Sequence, residues 1–274
     1  MNLNSTVRLI NGVEIPWLGL GVFQSRQGTE TEQAVRWALE IGYRHIDTAA
    51  AYGNEEDVGK ALRASGVPRE EVFVTTKVWN ADQGYENALA AFDASRRRLG
   101  LDVVDLYLVH WPVRGKYKDT WRALEKLYAD GKVRAIGVSN FLVHHLEDLL
   151  RDAEVAPMVN QVEFHPFLVQ KPLLEFGRSR GIRHEAWSPL TRARMLDHEA
   201  ITALAKKYGR TNAQVLIRWD LQLGVVTIPK SVHRDRILEN SRVFDFELDP
   251  EDVARLEALD SGTRVGPDPD NFDF

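Results

Sequence analysis

The feature that most constrains this chain is an eightfold alternation of short apolar runs with longer amphipathic stretches. The runs are Trp17 to Gly21, Tyr43 to Ile46, Val72 to Thr76, Val104 to Val109, Val133 to Val138, Met158 to Val162, Ile182 to Trp187 and Val225 to Ile228. Between them, Thr29 to Ile41, Glu55 to Ala64, Tyr85 to Leu99 and Thr120 to Ala129 carry helical period. Several of these end on Gly42, Gly66, Gly100 or Gly131, residues that accept the left-handed conformation at a helix C-terminus. Strand and helix in alternation require crossover connections and therefore a parallel sheet. VDLYLVH and VRAIGVS are nearly continuous in apolar residues, as strands covered on both faces must be. Eight such units closing on themselves predict an α/β fold, the (β/α)8 TIM barrel.

Two smaller elements frame that series. Residues 5 to 16 alternate around Asn11-Gly12, a hairpin signal, since both central positions of the tight turn must accept positive φ. Val265 to Phe274 holds Gly266, Pro267 and Pro269 without periodicity and reads as a tail or lid. The 274 residues could form two domains, but no Pro/Gly/Ser-rich linker breaks the series. Barrels of this kind reach about 250 residues as one unit, so one domain over residues 1–274 is expected.

Composition then removes whole classes of function. With no cysteine, a disulfide framework, thiolate catalysis and cysteine metal sites are excluded, and a reducing compartment fits. The polar, strand-like start carries no apolar run suited to a signal peptide or a membrane span, so a cytoplasmic protein without a membrane partner is expected. A net charge of −5 argues against nucleic acid, which calls for a surplus of Lys and Arg facing the phosphates.

In a barrel of this type the chemistry sits at the C-terminal ends of the strands. Asp47 follows RHI, Tyr52 lies in the next loop, Lys77 ends VFVTTK and His110 ends DLYLVH. Singly, each has an ordinary structural role: Asp47 as a helix N-cap, Tyr52 in packing, Lys77 as a solvated cation, His110 as a hydrogen-bonded strand end. Together they form a device for moving a proton to a carbonyl oxygen. A free phenol, with a pKa of about 10, is a poor acid at neutral pH. An adjacent ammonium favours the phenolate, and a carboxylate keeps a buried ammonium charged. Asp47 would hold Lys77, Lys77 would tune Tyr52, and His110 would orient the carbonyl. The group then needs a hydride donor.

Three segments, GYRHIDTAAAYGNEEDVG (Gly42 to Gly59), VRAIGVSNF (Val133 to Phe141) and IPKSVHRDRILEN (Ile228 to Asn240), resemble the signature segments of the aldo-keto reductases. The resemblance covers essentially the whole chain and runs toward short bacterial members akin to 2,5-diketo-D-gluconate reductase. It implies a catalytic tetrad of Asp47, Tyr52, Lys77 and His110, with Tyr52 as general acid. It further implies NADPH, with the nicotinamide carboxamide on Ser139, Asn140 and Gln161 and the ring on Trp187. Ser188 and Leu190 would line the cofactor path. Lys230, Ser231, Val232 and Arg236 would take the 2′-phosphate, with Glu239 and Asn240 near the adenine. Core packing for Trp187, an N-cap role for Asn140 and a solvated basic face for Lys230 and Arg236 stand beside these readings.

Two departures from the family pattern follow. His233 stands where relatives carry a more basic residue, which leaves room for some use of NADH. After Leu190 the family continues with a glycine-containing loop, whereas this chain reads Thr191-Arg192-Ala193-Arg194, so that Arg192 and Arg194 become candidates to clamp the pyrophosphate. Phe23, Trp79 and Trp111 lie just past strand ends, as barrel-rim packing or as walls of an open cleft for small aldehydes, ketones or dicarbonyls. The expected protein is a monomeric reductase of such compounds.

Competing readings are a barrel hydrolase with Glu163 and Glu185 as a carboxylate pair and a non-catalytic cofactor-binding barrel subunit. The hydrolase leaves Lys77 and Tyr52 without a task, and the binding subunit would lack a tetrad member. Gly19-Leu20-Gly21 lacks the third glycine of a dinucleotide fingerprint. GNEEDVGKA misses the spacing and the Ser/Thr of a P-loop and reads as a helix face. No His-x-His or His-Glu-x-x-His pair supports a metal-dependent hydrolase.

Overall fold

A computed structural model describes residues 1–274. The chain opens with an antiparallel hairpin, β1 (Thr6–Arg8) and β2 (Glu14–Pro16), paired Val7 to Ile15. Of the two turn residues only Gly12 takes positive φ, at 89°. Its N–H donates to the Leu9 carbonyl at 2.9 Å, so the connection is a wider turn closed by a left-handed glycine instead of the two-residue type that Asn-Gly suggested.

The eight expected strands are β3 (Leu20–Gly21), β4 (His45–Asp47), β5 (Phe73–Val78), β6 (Val104–Val109), β7 (Val133–Ser139), β8 (Val159–Glu163), β9 (Arg183–Trp187) and β10 (Val226–Thr227). They pair in parallel in chain order. Parallel bridges Leu18 to Thr227 and Gly21 to Lys230 join the two ends of this sheet and close the (β/α)8 barrel. Around it run α1 (Thr29–Ile41), α2 (Glu55–Ala64), α3 (Tyr85–Leu99), α4 (Tyr117–Ala129), α5 (Val143–Leu150), α6 (Lys171–Arg180), α7 (Glu199–Tyr208), α8 (Asn212–Gln222), α9 (Arg234–Ser241) and α10 (Pro250–Glu257). The first three helices keep the expected bounds. α4 starts three residues earlier than expected, because the Thr120 hydroxyl donates to the Lys116 carbonyl inside its first turn and does not cap it. α2 carries the P-loop-like glycines on a helix, and a Cβ on Gly59 would lie 2.3 Å from the Leu99 carbonyl oxygen, so that glycine sets the approach of α2 to α3.

The period of two within strands decides what fills the barrel. On β5 the hydroxyl of Thr76 donates to Glu55 of α2, outside the barrel, while Thr75 and Lys77 face inward. The interior between β4, β5, β8 and β9 is consequently polar, formed by His45, Asp47, Thr75, Lys77, Gln161 and Glu185, all buried. Burying so many polar groups is tolerable only when they satisfy one another.

Candidate active site

The strand ends converge. Asp47 closes β4, Lys77 precedes the last residue of β5, His110 follows β6 directly, and Tyr52 ends the single turn Ala50–Tyr52 after β4. The Lys77 Nζ donates to both oxygens of Asp47 at 2.7 and 2.8 Å and to the Thr48 carbonyl at 2.9 Å, and it lies 3.4 Å from the Tyr52 hydroxyl. Asp47 therefore grips a lysine and caps no helix. The rings of Tyr52 and His110 meet edge to face with centroids 5.7 Å apart.

Electrostatics divide the tasks within this group. Burial alone would pull the Lys77 pKa down, but Asp47 overrides it and the net direction is up, so the ammonium stays charged. Burial pushes Asp47 up against the pull of Lys77 and the Gln161 amide. The apolar walls push the Tyr52 hydroxyl up, and Lys77 opposes them. Sequence reasoning named only the second influence. Burial and the Lys77 charge hold His110 well below the ordinary imidazole range, so its ring is neutral. Its Nδ1 has no protein partner.

A cleft of about 1040 Å³ runs from this group across the barrel mouth to α9. Phe23, Trp79 and Trp111 line its near end, as expected from their places past β3, β5 and β6. The tail adds a wall that sequence reasoning missed. Phe274 stacks on Trp79 with centroids 5.8 Å apart and meets Trp111 edge-on at 5.2 Å, while Phe272 also packs on Trp111. The expectation of an open pocket is thus corrected: the tail folds across the mouth. Its anchor is Glu163, whose carboxylate accepts the N–H groups of Val265 and Gly266 and bonds His165. Glu163 is committed to the tail and Glu185 is sealed inside the barrel, so the two form no hydrolytic pair.

The middle of the cleft holds an aromatic face and an amide cluster. Trp187 ends β9, half-buried, with its Nε1 donating to Asn140 Oδ1 at 2.9 Å. Asn140 sits at φ 65°, two residues before the Leu142 cap of α5, and so is not that helix's cap. Its Nδ2 donates to the His110 carbonyl and to Ser139 Oγ. Gln161 Nε2 donates to Asp47 Oδ2 and Glu185 Oε2. With those donors spent, Asn140, Gln161 and Ser139 face the cleft chiefly as acceptors, matched to the NH2 end of a carboxamide. A Cβ on Gly266 would lie 2.3 Å from the Trp187 ring. Gly266→Ala is therefore expected to push the indole aside. Intrinsic fluorescence and cofactor titration check this, and an unshifted spectrum with unchanged affinity contradicts it.

Toward α9 the cleft is lined by Ser188, Pro189, Leu190, Lys230, Ser231, Val232, His233, Arg236, Glu239 and Asn240. Ser231 Oγ accepts the His233 N–H at 3.2 Å, which orders this turn just before α9. The loop after Leu190 is unusual: Thr191, Arg192 and Ala193 all take left-handed φ of 54°, 50° and 62° without a glycine. Each such residue costs roughly 1–2 kcal/mol, and the result is to aim Arg192 inward. Its guanidinium carbon lies 5.5 Å from the Phe23 ring centroid and 5.7 Å from that of Trp187. Arg194, exposed as Arg192 is, does not line the cleft, so of the two only Arg192 reaches it. An aromatic face and amides at one end, cations and a hydroxyl at the other and one cleft between them fit an elongated dinucleotide bearing an extra phosphate.

Residues 17–261 match the model of the aldo/keto reductase family. The chain is 60% identical over 273 residues to a glyoxal reductase of Bacillus subtilis (strain 168), covering 100% of this chain and 99% of that protein. Its fold superposes with a TM-score of 0.95 on an aldo-keto reductase enzyme from a Medee basin deep-sea metagenome library, at 47% identity over 98% of this chain and 100% of that one. A variant of Gox0644 in complex with NADPH matches at a TM-score of 0.94 and 44% identity, over 98% and 99% of the two chains. The chain belongs to the aldo/keto reductase family, and with that it is an oxidoreductase acting on carbonyl compounds. The glyoxal reductase places its likeness among bacterial members of the family. No helix is long and apolar enough to cross a membrane.

Proposed function

We propose that residues 1–274 act as one barrel that reduces small aldehydes, ketones or dicarbonyls to alcohols with NADPH, as a cytoplasmic monomer. The observation that carries this reading is the Asp47–Lys77–Tyr52 chain beneath a neutral His110, opening on a cleft built for a dinucleotide phosphate. When bound, NADPH supplies the hydride. Tyr52 gives its proton to the carbonyl oxygen, and the negative charge left on the phenol is met by the Lys77 ammonium 3.4 Å away. His110, neutral, orients the carbonyl by hydrogen bonding. Asp47 keeps Lys77 charged and fixed. Phe23, Trp79, Trp111 and Phe274 exclude water and favour compact, weakly charged substrates. The glyoxal reductase relative supports a small dicarbonyl as substrate.

Ser139, Asn140, Gln161 and Trp187 would hold the nicotinamide end. Lys230, Ser231 and Arg236 would hold the 2′-phosphate beside the backbone of Val232, with Glu239 and Asn240 at the adenine. His233, standing at the mouth of this phosphate pocket in place of a more basic residue, leaves NADH a weaker alternative. Arg192 would clamp the pyrophosphate. Arg192→Ala is expected to weaken NADPH about tenfold, the worth of one partly exposed charge-assisted hydrogen bond, and to flatten the salt dependence of binding. Unchanged affinity and salt dependence exclude the clamp. The reading as a whole is tested by following nicotinamide absorbance with each cofactor over a panel of aldehydes, ketones and dicarbonyls. Absence of turnover on every one of them would overturn it.

A further inference from the structure

Beneath the tetrad, one amide spans the barrel. Gln161 on β8 places its Nε2 between Asp47 Oδ2 of β4, at 2.7 Å, and Glu185 Oε2 of β9, at 2.8 Å. On the far side of Glu185, Oε1 lies 3.5 Å from His45 Nε2, which in turn meets Thr75 Oγ1 at 3.1 Å. Glu185 and His45 have no solvent exposure. The charged and titratable groups facing Glu185 are His45 and Asp47 from β4 and Lys77 from β5, and among them Lys77 is the one standing cation. A single ammonium already engaged by Asp47 cannot compensate two buried carboxylates, so one of them carries a proton. Asp47 holds Lys77 in both its oxygens. The proton therefore belongs to Glu185.

We propose that Glu185 is a positioning residue of the reduction: as a neutral carboxyl it locks the Gln161 amide, and through it the free edge of Asp47, so that Lys77 faces Tyr52 with one counter-charge and not two. This rests on the reading of Tyr52 as the acid. The lock has two consequences. Gln161 cannot turn its Nε2 to the cleft, because both N–H groups are held from below, so the cofactor's carboxamide meets an acceptor. Ionisation of Glu185 would add a second negative charge under Tyr52, raise the phenol's pKa as Asp47 already does, and slow proton delivery.

Burial and the neighbouring Asp47 push the Glu185 carboxyl up to about 8. The folded chain thus holds a proton that the unfolded chain releases near 4.5. Bound protons are then more numerous in the folded state, and stability falls as pH rises between these two values.

Two substitutions and one control test the proposal. Glu185→Leu removes the acceptor and is expected to lower kcat roughly tenfold, as for loss of one neutral buried hydrogen bond, with the KM for the carbonyl unchanged. Glu185→Gln keeps an acceptor for Gln161 and should restore most of that loss. It should also abolish both the downward step in turnover near pH 8 and the protonated-carboxyl stretch in the infrared difference spectrum. Retention of that step or of that band in Glu185→Gln overturns the proposal, even if Glu185→Leu fails to fold. Tyr52→Phe is measured alongside. If it turns over normally, the acid assignment fails. If it is inactive while Glu185→Gln titrates like the wild type, the failure is confined to Glu185.

Discussion

Tyr52→Phe is expected to lower kcat by roughly 10²–10⁴, the contribution of a positioned general acid, while NADPH affinity stays near that of the wild type. The hydroxyl's protein partner is Lys77, at 3.4 Å, and none of the side chains assigned to the cofactor bonds to it. Its loss should cost no more than about 1 kcal/mol of stability. Protonation favours Tyr52 over His110 as the proposed acid. His110, held well below its ordinary range by burial and by Lys77, has no imidazolium proton to give at neutral pH. In the proposed reaction Tyr52 keeps its proton until the carbonyl takes it, with Lys77 3.4 Å away when that happens. Single-turnover kinetics with cofactor titration by fluorescence check the outcome. Wild-type turnover in the variant would remove Tyr52 from the role.

Lys77→Met should damage both activity and stability. The variant leaves Asp47, 2% exposed, without its cation. Breaking a buried pair from one side costs about 3–5 kcal/mol. Asp47 escapes part of that by taking up a proton, since burial pushes its pKa up once Lys77 no longer opposes it. A raised folded-state pKa means that stability is fullest in acid and lost as pH rises, so the deficit of the variant should widen from acid to alkaline pH. Turnover should fall at least about a hundredfold, because Tyr52 keeps the upward push of its apolar walls without the opposing charge. Thermal unfolding and kcat measured across pH provide the check, and a melting temperature parallel to the wild type at every pH would contradict the pairing.

The barrel was legible because its signal is local and repeated. Eight apolar runs separated by helical periods dictate parallel pairing, and the runs fall within a few residues of the strands in every case. The convergence of Asp47, Tyr52, Lys77 and His110 was legible for a related reason: position at a strand end tells which mouth a side chain reaches. Arg192 and Arg194 show the limit of that reasoning. Two residues apart in one loop and both exposed, they separate because three consecutive left-handed residues turn the first over the cleft and leave the second off it. Nothing in the order Thr-Arg-Ala-Arg announces such a backbone, which glycine would ordinarily supply.

The tail and the barrel interior mark the same boundary. Phe272 and Phe274 come from a stretch without periodicity, and their place over Trp79 and Trp111 depends on Glu163, about a hundred residues earlier, receiving the Val265 and Gly266 amides. Asp47, Gln161 and Glu185 each read as inward from strand alternation alone. Which of them shares a hydrogen bond with which was set by barrel closure, because closing the sheet brings β4 opposite β8 and β9 at a distance that no local pattern encodes. The sequence by itself determined the elements, their order and the residues that reach the mouth, since these follow from periods of 2 and 3.6 residues along the chain. Only the tertiary structure decided who pairs with whom, who is protonated and what covers the cleft, because those depend on distances across the barrel and on the loss of water inside it.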